Sequence, residues 1–274
     1  MKKLPLYLMI LLSVIFTGCE EAVDIDTDTA PPKLVVDASI VWQKGTTGNE
    51  QKIKLTTTTS YQNTNPPHVS GATVSIKNSA NTVFDFTETP GTGEYICTTF
   101  VPEANETYTL TIVYNGQTYT ATESLKMTPP IDYVTQELAA GVGEEEDRID
   151  VKAYFTDPGN TRDYYLFRFQ STTRAVPEYG VTDDEFFNGN QVFGLYFNED
   201  QKPGDLVEIK LYGISERYYY YMEKLMNIVG GNGPFGVPAG VLRGNVVNTT
   251  NPADYPLGYF NVSEIDTQVY TITP

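Results

Sequence analysis

Between residues 33 and 127, short runs of alternating apolar and polar residues recur at close spacing. Such alternation places one side of a strand in a core and the other in solvent. The strongest turn signal is Asn115-Gly116, because both residue types tolerate the positive φ of a tight hairpin. The predicted strands are 33–42, 52–61, 72–77, 82–88, 94–100, 107–114 and 117–124. Seven strands in about 95 residues predict an immunoglobulin-like β-sandwich over residues 33–128.

The proline pair at 129–130 marks the start of a second β-rich domain, residues 129–274. Ser215–Val229 has apolar residues every three or four positions, as on one face of a helix, and Ser215 is a typical helix cap. The acidic run at 144–147 predicts a solvated loop. Further strands are predicted at 149–155, 164–170, 207–212 and 258–262. The predicted fold is therefore mainly β, with an N-terminal immunoglobulin-like β-sandwich followed by a β-rich domain with one clear α-helix.

Residues 1–18 have the features of a secretory signal peptide. Lys2 and Lys3 precede an apolar run of roughly 13 residues, shorter than the length that crosses a bilayer as a helix. The Phe-Thr-Gly-Cys sequence ending at Cys19 resembles a bacterial lipobox, in which lipid is attached to the cysteine. Cys19 is therefore predicted to be lipidated, and the acidic residues 19–32 to form an extended tether. An ordinary signal peptide with a chance cysteine is the alternative.

The net charge of −17 excludes nucleic acid as a partner, because such a surface repels phosphates. The one histidine, His68, lies in a predicted loop, so the sequence offers few residues from which to build a histidine-based triad or a histidine-ligated zinc site. Cys97 lies in an alternating run and is predicted to be a small buried core residue. We therefore predict no catalytic residue, no metal and no cofactor.

Two acidic groups keep alternatives open. Asp24, Asp26 and Asp28 could bind calcium, although they lack the turn glycine and the terminal glutamate of a calcium loop. A carboxylate enzyme, such as a glycoside hydrolase, could use paired acids. The acids available for that chemistry are Asp163, Asp183, Asp184 and Glu185.

Aromatic residues offer a possible binding surface. Tyr218, Tyr219, Tyr220 and Tyr221 are consecutive on the predicted helix, so their rings point in different directions and some are expected to be exposed. Trp42 and Phe235 are further candidates for this surface: Trp42 ends the first strand, and Phe235 lies in a loop rich in glycine and proline. The alternative is that these rings pack internally, with the helix between the sheet and a covering loop.

An ordered set of short motifs resembles one known family. The motifs are Cys-Glu-Glu at 19–21, Lys-Leu-Val-Val-Asp-Ala at 33–38, Gly-Ala-Thr-Val-Ser-Ile at 71–76, Gly-Glu-Tyr at 93–95, Tyr-Thr-Leu-Thr-Ile at 108–112, Pro-Pro-Ile-Asp at 129–132, Pro-Gly-Asp at 203–205 and Leu-Gly-Tyr-Phe at 257–260. In this order they resemble the Bacteroidetes lipoprotein family called domain of unknown function 4249, over nearly the whole exported chain.

The resemblance implies a function by association. Members of that family tend to be encoded beside TonB-dependent outer-membrane transporters, which implies a surface-exposed accessory or lid lipoprotein that assists nutrient uptake. The acidic pair after Cys19 also resembles signals that direct lipoproteins to the outer face of the outer membrane. A free-standing glycan- or peptide-binding module and a periplasmic structural lipoprotein are the alternatives. The family has no agreed catalytic residues to carry over.

Overall fold

A computed structural model describes residues 31–60, 63–140, 147–230 and 241–274. The described residues of the first half form β1 (Leu34–Gln43), β2 (Gln51–Thr57), β3 (Thr73–Asn78), β4 (Val83–Thr89), β5 (Glu94–Cys97), β6 (Thr107–Tyr114) and β7 (Gln117–Ser124). Those of the second half form β8 (Ile131–Ala139), β9 (Arg148–Thr156), β10 (Tyr164–Ser171), β11 (Glu178–Asp183), β12 (Gln191–Asn198), β13 (Leu206–Ile214), α1 (Glu216–Val229), β14 (Val247–Asn248) and β15 (Leu257–Thr271).

Strands β1–β7 form a sandwich of two layers that share β4. One layer contains β1, β2 and β5, and the other contains β3, β6 and β7. Because the first part of β4 pairs with β3 and its end, Thr87–Thr89, pairs with β5, this strand bends from one layer into the other. The inward side chains form one core, which includes Val36, Ile40, Ile53, Leu55, Val74, Ile76, Tyr95, Phe100, Tyr108, Leu110 and Ile112. The predicted mainly β, immunoglobulin-like fold class is confirmed.

A second pair of layers encloses an aromatic core. Strands β11, β10, β13 and the end of β15 form one layer, and β12, β9 and β8 form the other. Phe155 packs edge-on against Tyr165 with ring centroids 4.8 Å apart, and Phe167 stacks on Phe169 at 5.5 Å. Such aromatic pairs contribute about 0.5–1.5 kcal/mol each beyond the area that they bury. This core lies between the two layers, so it fixes the strands whose outer sides are described below.

Strand β15 contributes to both sandwiches. Its first part, Leu257–Ile265, runs parallel to β1, and its last part pairs antiparallel with β13 up to Thr271. The predicted strand at 258–262 was therefore wrong in length. Polar residues interrupt the apolar pattern at buried positions of β15, where they find partners within the fold. One of them is Glu264, which accepts a hydrogen bond from the Thr128 amide at 3.0 Å.

Two glycines permit close backbone approaches at the start of β15. Gly258 has a φ of +90°, and a Cβ built on it would lie 2.0 Å from the carbonyl oxygen of Val36. A Cβ on Gly244 would lie 1.6 Å from the carbonyl oxygen of Gly258. Only glycine avoids both clashes, and only glycine adopts this φ without strain. The turn before β15 therefore depends on these two positions.

Helix α1 covers the outer side of β10 and β13. Leu166 of β10 packs there with Ile214 and Met222, while its neighbours in β10 face the aromatic core. Strand β10 is therefore apolar on both sides, as expected of a strand covered on both faces. The Ser215 hydroxyl accepts a hydrogen bond from the amide of Tyr218 at 3.2 Å, which confirms the predicted cap. The helix predicted at 215–229 is confirmed by α1.

Four described strands, β8, β11, β12 and β14, were not predicted. Strand β8 is mostly exposed and lacks clear alternation, and β14 has two residues. Strand β12 carries three exposed apolar side chains, which are described below. Within the described residues, no helix has the length and apolarity needed to cross a membrane.

Candidate functional site

The outer side of the three-stranded sheet carries exposed apolar side chains. Phe193, Leu195 and Phe197 project outward from the edge strand β12 and are 41, 41 and 42 % exposed. Tyr133 of β8 is 47 % exposed, and the partly buried Tyr154 of β9 lies between the two strands. We call these five residues the aromatic face. The outer side of an antiparallel sheet is ordinarily polar, so this one differs from a surface that only meets water.

The rings of the aromatic face form a row across all three strands. Tyr154 lies opposite both Tyr133 and Phe193 in the strand register. The Tyr133 and Tyr154 rings stack with centroids 4.6 Å apart, and the Tyr154 and Phe193 centroids are 5.2 Å apart. Cross-strand aromatic contacts restrict the motion of each ring. The face is therefore both apolar and preorganised.

Charged groups border the aromatic face. The Lys152 ammonium lies 5.1 Å from the centre of the Phe193 ring, and the Arg148 guanidinium lies 4.3 Å from that of Phe197. Lys152 also donates a hydrogen bond to Glu137, and this bond raises the pKa of Lys152. Rigid aromatic residues bordered by paired charges are typical of protein–protein interfaces.

The sequence carried a signal for this face that sequence reasoning missed. Residues 192–197 read Val-Phe-Gly-Leu-Tyr-Phe, an almost continuous apolar run. Such a run is typical of a strand covered on both sides. In the folded chain Tyr196 fills the aromatic core, whereas Phe193, Leu195 and Phe197 remain exposed on the other side. The pattern therefore indicates a second covering surface, which the described residues do not provide.

The tyrosine-bearing helix α1 is anchored to the first sandwich by the buried Glu123. Its Oε2 accepts hydrogen bonds from the Ser215 hydroxyl at 3.1 Å and the Tyr259 hydroxyl at 3.3 Å. The Arg217 guanidinium lies 3.6 Å from the same oxygen and donates to the Thr122 carbonyl at 2.7 Å. One carboxylate thus connects β7, the start of α1 and β15.

The four consecutive tyrosines of α1 point in different directions, as predicted. Tyr218 and Tyr221 each pack on Tyr259 of β15 with ring centroids 4.7 Å apart. Burial raises the pKa of these three phenols. Tyr219 packs toward β10, and Tyr220 is 48 % exposed. Part of the cluster is therefore structural, and part is available to a ligand.

An open cavity of about 500 Å³ lies beside the first turns of α1. It is the size of a small-molecule site. Its basic lining residues are Arg217, Lys224 and Arg243, and its acidic one is Glu216. The rest of the wall is formed by Tyr220, Tyr221, Leu242, Gly244 and Tyr259. We call this the α1 cavity.

Trp42, also proposed for a binding surface, lies away from the α1 cavity. Trp42 of β1 is partly buried against the first core, and its indole N–H donates to the Thr46 carbonyl at 2.9 Å. It does not line the α1 cavity, and its contacts favour a packing role. Cys19 and Phe235 lie outside the described residues, as do Asp24, Asp26 and Asp28.

Cys97 and His68 lie where the sequence predicts. Cys97 is 2 % exposed in the first core, and its thiol lies 3.7 Å from the Thr99 hydroxyl. His68 is exposed in a loop beside β2. Neither residue belongs to the acidic cluster described next.

Asp157, Asp163 and Asp184 bring carboxylate oxygens within 4.8 Å of one another. Asp157 accepts hydrogen bonds from two glycine amides and a buried tyrosine hydroxyl at 2.6–3.0 Å. The fully buried Asp184 accepts a hydrogen bond from the Asp163 amide at 3.0 Å, and its carboxylate lies 2.9 Å from the Arg162 guanidinium. Arg162 also lies 3.1 Å from Asp183. These donors give the acids a structural role in joining the loops at the ends of β9, β10 and β11.

Residues 20–269 match the family described as "Domain of unknown function (DUF4249)". The chain belongs to this family. The DUF4249 match includes both sandwiches, the aromatic face and the α1 cavity, so both surfaces are parts of the family domain. None of the curated proteins compared with the chain matches it.

The solved structures that match this chain include two from chicken. One is the two fibronectin type-III domain segment from chicken tenascin, with 14 % identity over 66 % of this chain and 90 % of that chain and a TM-score of 0.21. Another is the chicken CNTN1 FN1–FN3 domains, with 14 % identity over 68 % of this chain and 64 % of that chain and a TM-score of 0.25.

Proposed function

We propose that this DUF4249 chain is a non-enzymatic lipoprotein on the outer face of a Bacteroidetes outer membrane. There it docks on a TonB-dependent transporter, as an accessory or lid protein, and assists nutrient uptake. The aromatic face is the observation that carries the docking role. It is a preorganised apolar surface on the three-stranded sheet, and the part of the chain that the structure describes leaves it exposed.

The composition of the aromatic face favours a protein partner. Tyrosine and phenylalanine dominate its centre, and its cations are already engaged by aromatic rings or by Glu137. Aromatic residues supply large contact areas at low entropic cost, which is why they dominate binding energy at interfaces. Apolar loop surfaces on an outer-membrane transporter would provide the complementary partner.

The lipidation predicted at Cys19 supports the proposed location. The basic residues Lys2 and Lys3, the short apolar run and the small residues before Cys19 form the pattern of an exported and lipidated chain. Several acyl chains hold a protein on a membrane far longer than one, at about 0.8 kcal/mol per buried methylene. Replacement of Cys19 by alanine is expected to move the protein out of the membrane fraction. Protease treatment of intact cells then distinguishes the outer face from the periplasmic one.

Photo-crosslinking tests the docking role directly. A photoreactive amino acid placed at Leu195 is expected to crosslink the full-length protein to a TonB-dependent transporter in intact cells. The matched position is Phe186, which is 94 % exposed but lies outside the aromatic face. A transporter adduct at Leu195 but not at Phe186 supports docking through this face. Equal yields at both positions, or none at either, would count against it.

A second candidate is a free-standing binding module for glycan or peptide. The observation that favours it is the α1 cavity, where Tyr220 and Tyr221 meet three basic side chains. Glycan-array binding that is lost in a Tyr220→Ala variant would support this function. Binding of no glycan and no peptide would leave the transporter role as the better account.

A further inference from the structure

The α1 cavity concentrates positive charge in a strongly acidic chain. The chain has 18 lysine and arginine residues against 35 aspartate and glutamate residues, and three of those cations line this one cavity. Within the part of the chain that the structure describes, neither Lys224 nor Arg243 forms an ion pair.

Contacts within the cavity leave about one positive charge without a counter-ion. The positive charge of Arg217 is balanced by the carboxylate of the buried Glu123, at 3.6 Å. Glu216 contributes one negative charge, although it also bonds to the Tyr164 phenol, outside the cavity wall. Lys224 and Arg243 therefore exceed the acids of the lining by about one charge. A singly charged anion would balance this excess, whereas a phosphate dianion would overcompensate it.

Arg243 is held in place by an aromatic ring. Its guanidinium lies 3.6 Å from the centre of the Tyr255 ring. A cation–π contact of this kind restricts the side chain while leaving the N–H groups at the edge of the guanidinium free to donate. Arg243 is thus positioned to meet a carboxylate through two parallel hydrogen bonds.

The remaining wall of the cavity fits an apolar body. Tyr220, Tyr221, Tyr259 and Leu242 line it beside the charged residues. The half-exposed Tyr220 ring offers an accessible face, and Tyr221 is fixed by its packing on Tyr259. Apolar walls with a few converging polar groups are typical of small-molecule sites.

We propose that the α1 cavity binds a small organic carboxylate with an apolar or aromatic body. Lys224 and Arg243 bind the carboxylate, and the tyrosine wall contacts the body. This site is separate from the aromatic face, so one can fail while the other holds. If the chain docks on a transporter, a carboxylate bound in this cavity would be carried to the transporter by this chain.

Calorimetric titration of the full-length lipidated protein in detergent tests the site. The probes are hippurate and phenylacetate, with hippuramide and phenylacetamide as neutral controls and inorganic phosphate as a control anion. At least one carboxylate is expected to bind at least about tenfold more tightly than its amide, because the amide lacks the charge that Lys224 and Arg243 recognise. Phosphate is expected to bind more weakly than that carboxylate.

Variants assign the binding to the cavity. Lys224→Met and Arg243→Met are each expected to weaken carboxylate binding by about tenfold. Lys77→Met, on the exposed side of β3, removes the same charge away from the cavity and is expected to leave binding unchanged. The proposal is overturned if neither carboxylate binds, if acid and amide bind alike, if phosphate binds more tightly, or if both cavity variants bind as the wild type does.

Discussion

The Oε2 atom of Glu123 on β7 accepts a hydrogen bond from the hydroxyl of Ser215, the residue that caps helix α1, at 3.1 Å. Glu123 is 7 % exposed, so its charge is stabilised by donors rather than by water. The same oxygen also meets Tyr259 and Arg217. This contact links the first sandwich to the helix that bears the tyrosine cluster.

Replacement of Glu123 by glutamine is expected to lower the free energy of unfolding by about 1–3 kcal/mol, because the buried donors lose a charged acceptor. The Arg217 guanidinium, beside the α1 cavity, would also lose its counter-ion. Urea denaturation measures the change. Glu103→Gln is the matched control, since the exposed Glu103 bonds through its backbone amide. Equal stabilities for the two variants would show that Glu123 does not anchor the helix.

Gly258 is expected to tolerate no side chain. A Cβ there would lie 2.0 Å from the Val36 carbonyl oxygen at a φ of +90°, so Gly258→Ala must displace β15 from β1. We expect a loss of about 3 kcal/mol or more, or failure to fold. Gly116→Ala is the control, because Gly116 also has a positive φ but open space around it. It should cost only about 1–2 kcal/mol of backbone strain. Similar losses for both variants would contradict the close approach.

Glu88 makes the stability of the first sandwich depend on acid pH. The amide of Gly71 donates to its carboxylate at 2.8 Å, and this bond, followed by one from Ser70, lowers the Glu88 pKa below its ordinary value of 4.5. The lowered pKa contributes stability above about pH 4.5 that is lost as the pH falls through the folded-state value. Glu88→Gln should therefore be less stable than wild type at neutral pH, with the two converging under acid. A constant difference between pH 7 and pH 3 in denaturation curves would refute this linkage.

Arg162 is expected to supply the positive charge that a metal ion would otherwise bring to the acidic cluster of Asp157, Asp163 and Asp184. It neutralises the fully buried Asp184 at 2.9 Å and the neighbouring Asp183 at 3.1 Å. Arg162→Gln should lower the melting temperature, because the buried carboxylate of Asp184 loses its charged partner. Calcium should leave the melting temperature of the wild type unchanged and partly restore that of the variant. A calcium-dependent rise in the wild type would show instead that the cluster binds metal.

Local pattern predicted the elements whose environments are simple. The strands of the first sandwich alternate because one side is buried, and α1 has both a serine cap and a helical period. Strand β15 was underestimated because Asn261, Ser263 and Glu264 are polar yet buried, with partners that lie far away in sequence or on β15 itself. No local rule anticipates a partner such as Thr128.

The candidate sites were predictable only in part. The tyrosine run was evident in the sequence, and the fold supplied what completes its cavity, namely Tyr259 from β15 and Arg243 from the segment before it. The aromatic face was not predicted because the sequence pattern was not recognised as strand β12. Its apolar run can be identified from the sequence, but which residues of that run stay exposed depends on the packing of Tyr196 in the core.

Quantitative co-purification most directly tests whether the aromatic face docks on a transporter. Tagged full-length protein is recovered from solubilised outer membranes of its host, and the co-purified TonB-dependent transporter is measured. Wild type and the Phe186→Ser control should recover it equally, whereas Phe193→Ser/Phe197→Ser should recover at least about tenfold less, because removal of interface aromatic residues costs about 2 kcal/mol or more. Thermal unfolding must show that the double variant remains folded. Full transporter recovery by a folded double variant, or none by the wild type, would contradict the proposed function.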